Sequence, residues 1–120
     1  MKNIKKKIAI LGSTGSIGKT LIRILKKDKN NIEILLLSSN KNYVELLKQV
    51  KIFDVKNIVI TNRKSFLKVQ KILKNKKIKI FNNFKNFDEI FKNKKIDYTM
   101  SAISGLDGLK PTLSIIKYTK

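Results

Sequence analysis

The segment Gly12-Ser13-Thr14-Gly15-Ser16-Ile17-Gly18 joins an apolar run, Ile8-Ala9-Ile10-Leu11, to a stretch of helical period. Small and hydroxyl-bearing residues at a strand-to-helix turn can hold a phosphate. Gly12 would let the chain leave the strand at a φ that a Cβ opposes. Gly15 would let the backbone approach a pyrophosphate, and Gly18 would let the helix pack closely on the sheet. Free N–H groups and the positive dipole end at a helix start then favour an anion. Ser13, Thr14 and Ser16 add hydroxyl donors. The spacing is Gly-x-x-Gly-x-x-Gly rather than the commoner Gly-x-Gly-x-x-Gly, so its context carries the assignment: directly after a strand and before a helix.

Gly18-Lys19-Thr20 imitates the end of a Walker A loop, but that loop needs a glycine where Ser13 stands, and Gly12 comes one residue too early. A nucleotide triphosphatase also wants an acid at the end of a strand; Asp97 falls at the beginning of one. The end of the second strand separates the dinucleotides. Leu35-Leu36-Leu37-Ser38-Ser39-Asn40-Lys41-Asn42 contains no acid to accept a ribose 2′-OH, and Lys41 among Ser and Asn donors suits a 2′-phosphate. This points to NADP over NAD. Lysine is abundant throughout, so Lys41 counts only together with the missing acid.

The elements that must position this turn follow from the apolar pattern. Strands are expected at Ile8–Leu11, Ile32–Leu37, Ile58–Ile60, Ile78–Phe81 and Ile96–Ile103. A helix through Leu21, Ile22 and Leu25 follows the glycine turn. Further helices are expected at Asn42–Lys51 with Val44, Leu47 and Val50 at spacings of three, after a Thr61-Asn62 cap with Phe66, Val69, Ile72 and Leu73 on one face, at Phe84–Phe91, and after Pro111. Strict βα alternation with short connections implies an α/β fold: a Rossmann-like doubly wound parallel sheet, as a single domain over residues 1–120. The last helix reaches Lys120 without a glycine cap, which reads as a cut before the next element.

Composition narrows the function classes. The 120 residues include no Cys and no His, which removes thiolate chemistry and the commonest acid–base group at neutral pH. Net charge is +20, from 28 basic and 8 acidic residues. That charge raises nucleic-acid binding as an alternative, but it is carried almost wholly by Lys and spread along the chain, whereas base readout favours bidentate Arg. A solvated Lys surface that steers phosphorylated ligands is preferred. No stretch approaches a signal peptide or membrane span, so a cytoplasmic protein without a membrane partner is expected. A non-catalytic nucleotide-sensing module is the other alternative.

Three segments resemble the 1-deoxy-D-xylulose 5-phosphate reductoisomerase family. Ile10-Leu11-Gly12-Ser13-Thr14-Gly15-Ser16-Ile17-Gly18 is similar to its opening, and Ser38–Asn42 to its Ala-Gly-Lys-Asn turn. Ala102-Ile103-Ser104-Gly105-Leu106-Asp107-Gly108-Leu109-Lys110-Pro111-Thr112-Leu113 is similar to its Ala-Ile-x-Gly-x-x-Gly-Leu-x-Pro-Thr-Leu segment. Asn40 stands where the family usually has Gly; Asn tolerates a left-handed φ better than other side chains, at a modest penalty. The resemblance implies NADPH as cofactor, contacted by Thr14, Gly15, Ser16, Ile17, Asn40, Lys41 and Asn42 beside Gly12 and Gly18, with Ala102 and Ile103 nearby. It also implies a phosphosugar substrate, a divalent cation (Mg or Mn) and a homodimer for the full-length enzyme. The family rearranges and reduces 1-deoxy-D-xylulose 5-phosphate to 2-C-methyl-D-erythritol 4-phosphate in non-mevalonate isoprenoid biosynthesis. Its catalytic and metal-binding residues match nothing in this sequence, so the chain alone is expected to be inactive.

Overall fold

Lys6–Leu11 (β1) is an inner strand of a parallel sheet, paired with Ile32–Ser39 (β2) on one side and Tyr98–Ser101 (β5) on the other. The computed structural model describes residues 5–85, 87–91 and 95–103. Asn57–Ile60 (β3) and Lys79–Phe81 (β4) complete the strand order β4-β3-β2-β1-β5, all parallel. The chain therefore walks outward from β1 to β4 and then returns to the far side of β1. Right-handed crossovers put helices on opposite faces on either side of such a reversal. Ser16–Lys26 (α1), Tyr43–Phe53 (α2) and Arg63–Ile72 (α3) share one face; Phe87–Phe91 (α4) covers the other.

Alternation along each strand divides the core. Ile8, Ile10, Ile58 and Ile60 pack under α1–α3 with Ile22, Leu46, Val50 and Val69. Ala9, Leu11, Val59 and Ile96 pack under α4 with Phe87 and Phe91. Strand β2 breaks the alternation. Ile8 pairs with Ile34 but Ala9 pairs with Leu36, so one extra residue is bulged out at Leu35. Leu35 and Leu36 both enter the α4-side core, and Leu37 returns to the other. Asn57 Nδ2 donates to the Leu35 carbonyl at 3.3 Å, partnering the bulge.

The helices sit close to their expected spans, with some faces rotated. On α2 Leu46 and Gln49 are fully buried, while Val44 is 55% exposed. On α3 Val69 is buried and Ile72 is exposed. Asn42 and Asn62 are the N-caps of α2 and α3, their Oδ1 atoms accepting from Glu45 N at 3.2 Å and Ser65 N at 3.0 Å. The fourth helix starts at Phe87, not Phe84, because Phe84 lies in a bend before it. Strand β5 is shorter than the expected Ile96–Ile103. The helix expected after Pro111 lies outside the described residues.

Leu46→Ala is expected to cost about 2–5 kcal/mol in urea unfolding, the range for emptying a closed apolar site. Asn57→Ala, which only strips the bulge of its donor, should cost about 1 kcal/mol.

Candidate functional site: a glycine-lined groove at the end of the sheet

In open parallel sheets a crevice forms at the carboxyl ends of the strands where the winding reverses. Here that point lies between β1 and β5, and an open groove of about 560 Å³ occupies it. Gly12, Thr14 and Gly15 form one wall, Ser38, Ser39, Asn40 and Thr61 another, and Phe84, Ala102 and Ile103 close it. Ala102 N donates to Leu11 O at 2.8 Å, which holds the end of β5 against the start of the loop.

Each glycine has a distinct reason to be one. Gly12 has φ +73, and a Cβ there would meet Ile103 Cγ1 at 3.0 Å and Ala102 C at 3.1 Å. At Gly18 a Cβ would fall onto the Gly12 carbonyl oxygen and within 2.6 Å of Ser13 Cα. Its absence seats α1 against the loop backbone rather than against the sheet. Gly15 is different, because its Cβ would make only an ordinary contact, 3.9 Å from Gly12 O. Gly15 is also the N-cap of α1, and no side chain caps that helix. The first-turn N–H groups are therefore left to whatever enters the groove.

The loop is tied to β2 rather than floating. Ser13 N donates to Ser38 O at 2.9 Å, and Gly12 N donates to Ser38 Oγ at 2.8 Å. Thr14 Oγ1 and Ser39 Oγ are 2.9 Å apart. Beyond β2, Thr61 N donates to Ser39 O at 3.0 Å and Asn62 N to Asn40 O at 3.2 Å, so β3 braces the same turn. Ser65 Oγ donates to Lys41 O at 3.2 Å. Asn40 needs no left-handed backbone: among the described residues Asp54 alone combines a side chain with positive φ. The penalty expected for Asn in place of Gly is absent.

Of the residues singled out from sequence, Gly12, Thr14, Gly15 and Asn40 line the groove. Ser16 and Ile17 lie just beside it in the first turn of α1, and Ile17 is 66% exposed. Lys41 is exposed at the rim, and Asn42 spends its Oδ1 on the α2 cap. Gly18 is buried behind the loop. Sequence reasoning missed Thr61, Phe84 and the buried Gln49, whose Nε2 donates to Ser13 O at 2.9 Å. Asp97 lies at the opposite end of the sheet, where its Oδ2 accepts from Lys7 N at 2.8 Å.

A strand, a three-glycine turn and an uncapped helix are shared by many nucleotide-binding domains, so the comparison with known proteins decides the family. The family model described as 1-deoxy-D-xylulose 5-phosphate reductoisomerase matches residues 8–120. The chain belongs to the 1-deoxy-D-xylulose 5-phosphate reductoisomerase family. A reductoisomerase of Pelagibacter ubique is 61% identical over 116 residues, covering 96% of this chain and 30% of the relative. That of Buchnera aphidicola subsp. Schizaphis graminum is 38% identical over 117 residues, covering 96% and 29%. The solved Zymomonas mobilis reductoisomerase in complex with NADPH superposes with a TM-score of 0.83 at 25% identity, covering 98% of this chain and 31% of that one. A reductoisomerase in complex with NADPH, fosmidomycin and magnesium gives 0.79 at 25% identity, over 91% and 27%. The chain thus spans about a third of the length of these reductoisomerases.

The glycine geometry gives a direct stability contrast. Gly18→Ala should lower stability by about 1–3 kcal/mol as loop and helix are forced apart, whereas Gly15→Ala should leave the melting temperature within experimental error.

Proposed function

We propose that the groove binds NADPH and that this chain is the cofactor-binding domain of a 1-deoxy-D-xylulose 5-phosphate reductoisomerase. The observation that carries the reading is the uncapped start of α1, opening through Gly15 onto a groove whose β2 wall has no acid. The residues fit the cofactor. Backbone N–H groups at Thr14–Ile17 would hold the pyrophosphate, whose charge the helix dipole favours. Lys41, with Asn40 and Asn42, would hold the 2′-phosphate that distinguishes NADPH from NADH. Ala102 and Ile103, against Gly12, would form an apolar floor that keeps water from the far end of the cofactor. When bound, NADPH supplies a hydride to the reduction step. That the superposable Zymomonas mobilis reductoisomerase is in complex with NADPH supports NADPH as the ligand.

The divalent cation has no comparable home among the described residues. Among the described residues no three His, Cys, Asp or Glu side chains come together as a metal site. We assign the metal, the phosphosugar and the catalytic groups to the length of the relatives that this chain does not span. Among the described residues, no helix is long and apolar enough to cross a membrane.

Titration with NADPH and NADH, followed by nicotinamide fluorescence, tests the reading. NADPH should bind at least about tenfold more tightly, from charge-assisted contacts to the 2′-phosphate. Lys41→Ala should weaken NADPH about three- to tenfold and leave NADH unchanged, as befits an exposed contact. Gly15→Ala should weaken both without changing the melting temperature. Absence of binding, or preference for NADH, contradicts the proposal.

A further inference from the structure

One buried polar side chain reaches the glycine loop from outside the groove lining. Gln49 on α2 is 0% exposed, yet it lies among apolar residues on a helix whose neighbours Leu46 and Val50 belong to the core. Its Nε2 donates to Ser13 O at 2.9 Å and lies 3.5 Å from Glu45 Oε2. Two acceptors around one atom fix which end of the amide is nitrogen. Its Oε1 is buried with no hydrogen-bond partner. A buried amide with an unpaired oxygen is a net cost to folding that an apolar side chain of the same length would avoid.

From this we infer that Gln49 is a positioning residue for the cofactor loop: its amide fixes the orientation of the Ser13–Thr14 peptide. The geometry follows from the planarity of that peptide. In a trans peptide the C=O and the following N–H point in opposite directions. Drawing the Ser13 carbonyl inward to Gln49 therefore turns the Thr14 N–H outward, and Thr14 lines the groove. Among the described residues the Thr14 N–H makes no backbone hydrogen bond. Ser13 N is already committed to Ser38 O, so the peptide before Ser13 is held from β2 and the peptide after it from α2. Without the Gln49 amide the second peptide is free to rotate, and an inward Thr14 N–H is lost to a phosphate. The inference rests on the groove being the NADPH site, and it gives α2 a share in that site although α2 does not line it.

Gln49→Met keeps length and bulk but deletes the donor; Gln49→Glu keeps the shape but sets a carboxylate against the Ser13 carbonyl and Glu45. In the cofactor-free protein, the backbone amide resonances of Ser13, Thr14 and Gly15 should shift in both variants, while those of β3 and β4 stay in place. In Gln49→Met the melting temperature should hold, because removing the orphaned Oε1 offsets the unpaired Ser13 carbonyl. NADPH should nevertheless bind about tenfold more weakly, on the scale of one well-placed hydrogen bond, and Gln49→Glu should weaken it further. Unshifted loop amides, an unchanged NADPH affinity, or an affinity loss that only tracks a loss of fold would each overturn the assignment. Failure of the unsubstituted protein to bind NADPH would instead refute the cofactor reading, with the loop resonances still reporting on Gln49.

Discussion

The site depends on the pair of hydrogen bonds by which Ser38 holds the glycine loop, Ser13 N to its carbonyl and Gly12 N to its hydroxyl. A glycine-rich turn is entropically loose, and left alone it would sample many conformations at a cost to any ligand that needs one. Ser38 removes that freedom because it is 1% exposed and its own strand is fixed on both sides by β1 and β3. The register that brings it there comes from the bulge at Leu35. In a strand without the extra residue, Leu37 and Ser38 would exchange faces. A leucine would then stand where the hydroxyl meets Gly12 N–H, and the loop would lose an anchor.

From this anchor the rest of the molecule reads outward. β1, buried from Ile8 to Leu11, delivers Gly12 to the point where the sheet reverses. The braces from Thr61 and Asn62 keep the Ser39–Asn40 turn beside the loop. The charge surplus has little structural part. The ion pairs Lys56–Asp54 and Lys79–Glu89 join well-exposed side chains, where such pairs contribute little. The lysines act as a solvated field that favours anionic ligands over distance.

The strand-and-helix alternation was legible because the strands are short β-branched runs between polar stretches, and the glycine turn was legible from its spacing. Three features were not. Leu35-Leu36-Leu37 is apolar throughout, so a strand buried on both faces gives no alternation from which a bulge can be seen. Val44, Leu47 and Val50 suggested the inner face of α2; Val50 is buried there, but its buried companions are Leu46 and Gln49, and Val44 is exposed. A polar residue in the core looks like a surface residue in any hydropathy pattern. Phe84 was read into a helix by its apolar character alone; its place on the groove wall is decided by tertiary packing with no local sequence signal.

Hydrogen–deuterium exchange with and without NADPH tests the central claim most directly. If the glycine loop is a rigid cradle held by β2, NADPH should slow exchange in peptides covering Gly12–Ile17 and Ser39–Asn42. Peptides at the opposite end of the sheet, around Lys7 and Asp97, should not change. Slowed exchange confined to other regions, or none at a concentration that saturates nicotinamide fluorescence, would contradict the account.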